Sequence, residues 1–179
     1  MPFAVVLNLD EAASRAIEDA QAAVIRAGLS SPDTQVMNFW PHISLAISED
    51  LDVRGFEPYL RDLAAGTPPF ELCFARLEVF EPEPKVLYLA PADSPDLTAM
   101  HQRLHSEYSS FAFRPWEYYS PGKWVPHCTV ADGLRGENVA KARELFESLH
   151  LPIYVHLDEV ALVGFYPTES YYSFKLGAA

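Results

Sequence analysis

The sequence predicts a single α+β domain over residues 1–179, made of two similar halves related by a pseudo-twofold axis. Three observations predict it. Apolar runs of strand length are interleaved with longer alanine- and leucine-bearing stretches at helical spacing, the mixed pattern of an α+β fold. The order strand, helix, strand occurs twice, ending first on Trp40-Pro41-His42-Ile43-Ser44-Leu45-Ala46 and then on Trp124-Val125-Pro126-His127-Cys128-Thr129-Val130-Ala131. Leu7 precedes His42 by 35 residues and Leu87 precedes His127 by 40, with no low-complexity linker between the halves. Similar units joined this closely bury a shared core.

Taken in order, Phe3 to Leu9 is a continuous apolar run suited to a buried strand. Asp10 to Ala27 reads as a helix, with Asp10 as cap, Glu11 in the first turn and Gly28 as its stop. Gln35 to Ile47 carries the second strand, and Arg54 to Ala65 a second helix ended by Gly66 and Pro68-Pro69. Phe70 to Phe80 and Val86 to Ala90 pair around the turn Glu81-Pro82-Glu83-Pro84. Pro95 to Tyr108 is helical, with Leu97, Met100 and Leu104 at core spacing. Arg114 to Lys123 is an aromatic-rich loop, Trp124 to Ala131 a strand and Glu137 to Leu149 a helix. Val155 to Phe165 and Tyr171 to Leu176 close the chain as two strands around Pro167.

A formal net charge of -12 excludes a general electrostatic footprint for duplex DNA or long RNA, so any nucleic-acid-like partner is small or is held at a locally basic cleft. Cys73 and Cys128 form neither a disulfide framework nor a metal-ligand spacing, and both read as small buried hydrophobes. The N-terminal apolar run is too short for a signal segment or a membrane span, which makes a cytoplasmic protein with no membrane partner the default expectation. A monomer is expected.

The chemistry concentrates in the doubled motif. A strand sends residues i and i+2 to one face, so His42 shares a face with Ser44, and His127 with Thr129. Ile43 and Leu45, and Cys128 and Val130, turn to the core. Cleaving a phosphodiester requires a proton taken from the attacking oxygen and one delivered to the leaving oxygen. Two imidazoles, one neutral and one protonated, do both near neutral pH. The Ser44 and Thr129 hydroxyls are placed to donate to non-bridging phosphate oxygens. The scheme needs no metal and no cofactor, and no ligand spacing suggests one.

Other histidines carry no role in this reading. His101 and His105, four apart on a helix, lack a third nearby ligand and are expected on an exposed helical face. His150 and His156 have no hydroxyl two residues on. Lys123, just before the second motif, is a candidate source of local positive charge. Trp40, Trp124, Tyr118, Tyr119, Tyr166 and Tyr171 are candidates for stacking on a base, with Tyr166 and Tyr171, near Pro167, the preferred substrate-binding pair.

The sequence resembles the 2H phosphoesterase superfamily, whose bacterial members include proteins described as 2′-5′ RNA ligases and RNA 2′,3′-cyclic phosphodiesterases. The resemblance rests on His42-Ile43-Ser44-Leu45 and His127-Cys128-Thr129-Val130, and runs through Val86-Leu87-Tyr88-Leu89 to Glu159-Val160-Ala161-Leu162-Val163-Gly164-Phe165. It implies two lobes, each an antiparallel sheet with helices packed outside, around a central water-filled groove. It also implies metal-independent catalysis by His42 and His127, phosphate binding by Ser44 and Thr129, and substrates with 2′,3′-cyclic or 2′,5′-linked phosphates. Ligase-like members carry an arginine after the second motif where this chain has Asp132, and Ile47 follows the first. A carboxylate there favours hydrolysis of a small cyclic nucleotide or a cyclic RNA terminus. RNA ligation, and a non-catalytic module that binds a nucleotide or RNA end, are the alternatives.

Overall fold

A computed structural model describes residues 1–30, 40–81, 83–165 and 167–178. The element order is β1 (Phe3–Asn8), α1 (Glu11–Arg26), β2 (His42–Leu51), α2 (Val53–Ala65), β3 (Phe70–Phe80), β4 (Lys85–Pro91), α3 (Pro95–Tyr108), β5 (Ala112–Pro115), β6 (Cys128–Leu134), α4 (Gly136–Phe146), β7 (Ile153–Leu157), β8 (Glu159–Gly164) and β9 (Glu169–Lys175). Single 3₁₀ turns lie at Glu117–Tyr119 and Glu147–Leu149.

Two antiparallel sheets result, one ordered β5-β2-β1-β8-β9 and the other β6-β4-β3-β7. Overlaying β2-β1-β8-β9 on β6-β4-β3-β7 expresses the pseudo-twofold axis expected from the repeat. Each motif strand thus sits beside the first strand of its own half, with Asn8 opposite His42 and Tyr88 opposite Thr129.

The helices cross between the sheets. Helix α1 follows β1 of the first sheet, yet with α4 it packs on β4, β6 and β7 of the second. Helix α3 follows β4 of the second sheet but joins α2 over the first, through β2 and β9. One apolar core therefore joins both halves, from Val5, Leu7 and Phe56 to Leu87, Phe74 and Phe146, all within 2% of full burial.

Local signals explain most boundaries. Asp10 accepts a hydrogen bond from the Ala13 amide at 2.9 Å and caps α1. Gly28, just past that helix, takes φ +68, a left-handed conformation that glycine adopts without a Cβ clash.

Four expectations change. The run Val155 to Phe165 is two strands, because the chain leaves one sheet at β7 and enters the other at β8 around Asp158. The aromatic loop begins with β5, paired to the far end of β2. Strand β6 starts at Cys128, so Trp124 to His127 is an irregular approach to it. Cys73 is only half-buried, on β3. Residues 35–39, at the start of the expected second strand, lie outside the described residues.

Candidate functional site

In both halves the proline before the histidine shapes the site. Its ring fixes its own φ and holds the preceding residue in extended backbone, which turns that residue's carbonyl toward the imidazole. His42 Nδ1 lies 2.8 Å from the Trp40 carbonyl, and His127 Nδ1 lies 2.7 Å from the Val125 carbonyl. A carbonyl only accepts, so each Nδ1 carries the proton and donates it. Each Nε2 is left with its lone pair when the ring is neutral. The Pro41 carbonyl in turn accepts from the Leu9 amide at 3.1 Å and pins the first approach to the end of β1.

The hydroxyl residues are set by a second shared device. On β2 the register slips so that Val6 faces Ser44 while Val5 faces Ala46, leaving Leu45 unpaired. On β6, Tyr88 faces Thr129 and Leu87 faces Ala131, leaving Val130 unpaired. The bulges occupy equivalent places, one residue past each hydroxyl, and Leu45-Ala46 and Val130-Ala131 all join the main core. Bulges re-aim side chains beside sites of this kind. The phase change puts Ile47 on the face of Ser44, in a small apolar cluster with Ala4, Val6, Ala161 and Val163. By the same phase Asp132 falls on the face of Thr129, roughly 10 Å along the strand.

Cross-braces bring the two motifs together. The sheets meet along β2 and β6, where the Cys128 thiol takes a hydrogen bond from the backbone of His42 and burial pushes the thiol up to about 12. The Trp124 indole donates to the Ser44 carbonyl at 3.0 Å. His101 stacks on Trp124 with ring centroids 3.9 Å apart and planes 2° from parallel, and its Nε2 donates to the Tyr119 carbonyl at 2.9 Å. His105 Nε2 donates to the carbonyl of the bulged Leu45 at 3.1 Å.

The expected exposed pair His101 and His105 is therefore corrected: His101 is 3% exposed and His105 half-buried. The sequence held the signal, since Leu97, Met100, His101, Leu104 and Tyr108 form one buried stripe on α3. Burial holds His101 down at about 4.

Burial lowers both motif histidines, and the positive charge of His127 lowers His42 further. The two rings thus sense one another's protonation. His127 is held edge-on by Phe80 and Tyr88, with centroids at 5.0 and 5.6 Å. Tyr88, the strand neighbour of Thr129, donates to Glu78 at 3.1 Å, and Arg76 donates to the same carboxylate at 2.7 Å. These two bonds hold the Glu78 carboxyl below the usual range. Phe80, Tyr88, Trp124 and Glu78 are site neighbours that strand alternation alone does not select.

The candidate substrate-binding residues are placed differently. Lys123 is exposed, and its ammonium pairs with Glu117 of its own loop. Tyr171 packs against Phe3, a main-core residue on the β1 face opposite Asn8 and Val6, with ring centroids 5.4 Å apart. Its ring is therefore away from the two histidines. Tyr166 lies outside the described residues. Among the described residues no helix is long and apolar enough to cross a membrane.

A family model described as the 2′-5′ RNA ligase superfamily matches residues 9–166, a stretch that contains both motifs. The chain belongs to this superfamily. Relatives named "Putative phosphoesterase" include one from Geobacillus kaustophilus, 30% identical over 66% of this chain and 64% of its own length. Another, from Bacillus cereus, is 31% identical over 52% of each chain. The chain thus matches about half to two thirds of the length of these relatives. Two solved structures share the fold. TT0787 of Thermus thermophilus superposes with TM-score 0.65 at 18% identity, covering 99% of both chains. Escherichia coli LigT complexed with 3′-AMP superposes with TM-score 0.64 at 16% identity, covering 98% of both. Membership places the chain among 2H phosphoesterases, with the two-sheet α+β fold of LigT.

Proposed function

We propose that this superfamily member is a metal-independent cyclic phosphodiesterase that opens the 2′,3′-cyclic phosphate of a small nucleotide or an RNA end. One observation carries the reading: two imidazoles share the same Nδ1–H to carbonyl lock, and each stands two residues before a hydroxyl residue of a motif strand. Locked rings lose little orientational freedom when they react, and fixed donors favour charge that develops in the transition state.

Burial together with the charge on His127 disfavours a proton on His42. In this reading the single proton of the pair is assigned to His127. His42 is then the base that takes a proton from the attacking water through Nε2. His127 is the acid that delivers a proton to the departing ribose oxygen, and Ser44 and Thr129 donate to the non-bridging oxygens. Binding of the anionic phosphodiester raises the affinity of His127 for that proton. A neighbour of the same fold crystallised with 3′-AMP supports a small nucleotide as the ligand class.

The test is turnover of 2′,3′-cyclic nucleotides and cyclic-ended oligonucleotides in the presence of EDTA. Each cyclic phosphate is expected to open to a single phosphomonoester product. No turnover across that panel and 2′,5′-linked oligomers would overturn the reading, and tight binding of intact ligand would identify a binding module.

A further inference from the structure

The loop between β5 and β6 lays an aromatic side chain, Tyr119, on the Ser44 face of the first sheet, one that the paired motif does not account for. This loop is held at both ends. The Trp116 amide donates to the Ile47 carbonyl at 2.8 Å, the Tyr119 carbonyl takes His101 Nε2 at 2.9 Å, and Trp124 is bound to Ser44. Tyr119 at its centre packs against the cluster of Ala4, Val6, Ile47, Ala161 and Val163. That cluster is the face of the first sheet beside Ser44, because Val6 is the direct strand partner of Ser44 and Ala161 that of Val6. The Tyr119 ring also approaches His127, with centroids 6.5 Å apart and planes at 41°. Tyr119 thus spans from the Ser44 side of the groove to the imidazole of the other half.

The polar supply of the two sheets is unequal. Beside Thr129 stand Tyr88 and Glu78, already bonded to one another. Beside Ser44 stand Val6 and Ala161, which offer nothing. The Tyr119 hydroxyl has no hydrogen-bond partner among the described residues, and no unpartnered polar atom of a described side chain is sealed from solvent. The hydroxyl is therefore not sealed from solvent, and its ring lies on the Ser44 face of the first sheet.

Resting on the paired-histidine reading above, we infer that Tyr119 is a third phosphate-binding hydroxyl, donating to a non-bridging oxygen of the bound phosphodiester on the Ser44 side. Burial pushes its hydroxyl up to about 12, so it stays a donor at every working pH. A neutral donor also suits a site whose neighbours include the Glu78 carboxylate, since it adds no charge.

Tyr119→Phe keeps the ring and removes only the hydroxyl. Phosphate affinity, followed by calorimetry with inorganic phosphate, is expected to fall about tenfold, the usual effect of one hydrogen bond to a charged group. The thermal midpoint should stay near that of the wild type. Turnover of the two phosphorus diastereomers of a nucleoside 2′,3′-cyclic phosphorothioate gives the second reading. Unequal donation to the two non-bridging oxygens makes the wild type prefer one diastereomer, and Tyr119→Phe should change that preference. In the unmodified protein carrying [¹³Cζ]tyrosine, the Tyr119 resonance should shift and saturate with phosphate, a measurement independent of the variant's folding. Unchanged phosphate affinity and diastereomer ratio in a folded Tyr119→Phe protein, or a Tyr119 resonance blind to phosphate, would overturn this inference while wild-type turnover left the histidine mechanism standing. A wild type that neither binds phosphate nor turns over a cyclic phosphate overturns both.

Discussion

At the scale of single residues, His42 and His127 are made alike by neighbours rather than by their own strands. The carbonyl two positions back selects the Nδ1–H tautomer in each, and in the proposed mechanism removing either ring removes one proton-transfer step. His42→Ala and His127→Ala are each expected to lower kcat by about two to four orders of magnitude on a cyclic nucleotide. Ser44→Ala and Thr129→Val should cost about two orders each, as loss of a preorganised donor does. Steady-state kinetics checks both, and full activity in either histidine variant would refute the paired mechanism. Because burial and His127 lower His42, the free enzyme loses kcat/KM on the acid side only below its ordinary value of 6.5. A pH–rate profile locates that limb, and a limb above 6.5 would remove His42 as the base.

Between single residues and the whole chain, the informative unit is the bulged motif strand with its brace. The bulges at Leu45 and Val130 release backbone groups from the ladder, and side chains from other elements collect nearby carbonyls. His105 takes Leu45, and Trp124 takes Ser44. Trp124→Phe preserves most of the stack on His101 but leaves the Ser44 carbonyl short of a donor. We expect a stability loss of about 1 kcal/mol in urea unfolding. A fall in kcat with little change in KM should accompany it, because the brace acts on the Ser44 backbone. An unchanged kcat would assign Trp124 to stability alone.

For the molecule as a whole, the crossing of α1 and α3 makes the halves interdependent. The first sheet takes β8 and β9 from the C-terminal part, and the second is covered by α1 from the N-terminal part. Residues 1–81 produced alone should therefore lack cooperative unfolding by circular dichroism, whereas the full chain should unfold in one transition. Acid stability follows from the buried His101. Its folded value is about 4, below the ordinary 6.5, so the unfolded chain binds the extra proton between these values. Stability is then present above pH 6.5 and is lost as pH falls toward 4, by about 3 kcal/mol from this ring. His42, His105 and His127 are lowered too and act with the same sign. Denaturation midpoints between about pH 7 and 4 measure the slope, and His101→Gln should make it shallower.

The doubled Pro-His-x-Ser/Thr pattern, the strand alternation around it and the α3 stripe are local properties of the chain. From them the sequence alone determined most of the strand and helix order, with β5 missing and β7 and β8 read as one run, together with the candidate histidine–hydroxyl pairs and the family. Period-two alternation works there because it concerns neighbours within a few residues. It could not show the change of sheet at Asp158, the bulges, or the helices crossing to the opposite sheet. Those depend on which strand each segment pairs with, a choice between distant surfaces. For the same reason His101 and Tyr119 read as an exposed helical ring and a loop aromatic until packing placed one beneath Trp124 and the other beside His127. Tyr171 was drawn from the groove by Phe3, and Lys123 by Glu117. Tertiary structure decided these positions because burial and charge pairing act through space, between residues that nothing in the chain order brings together.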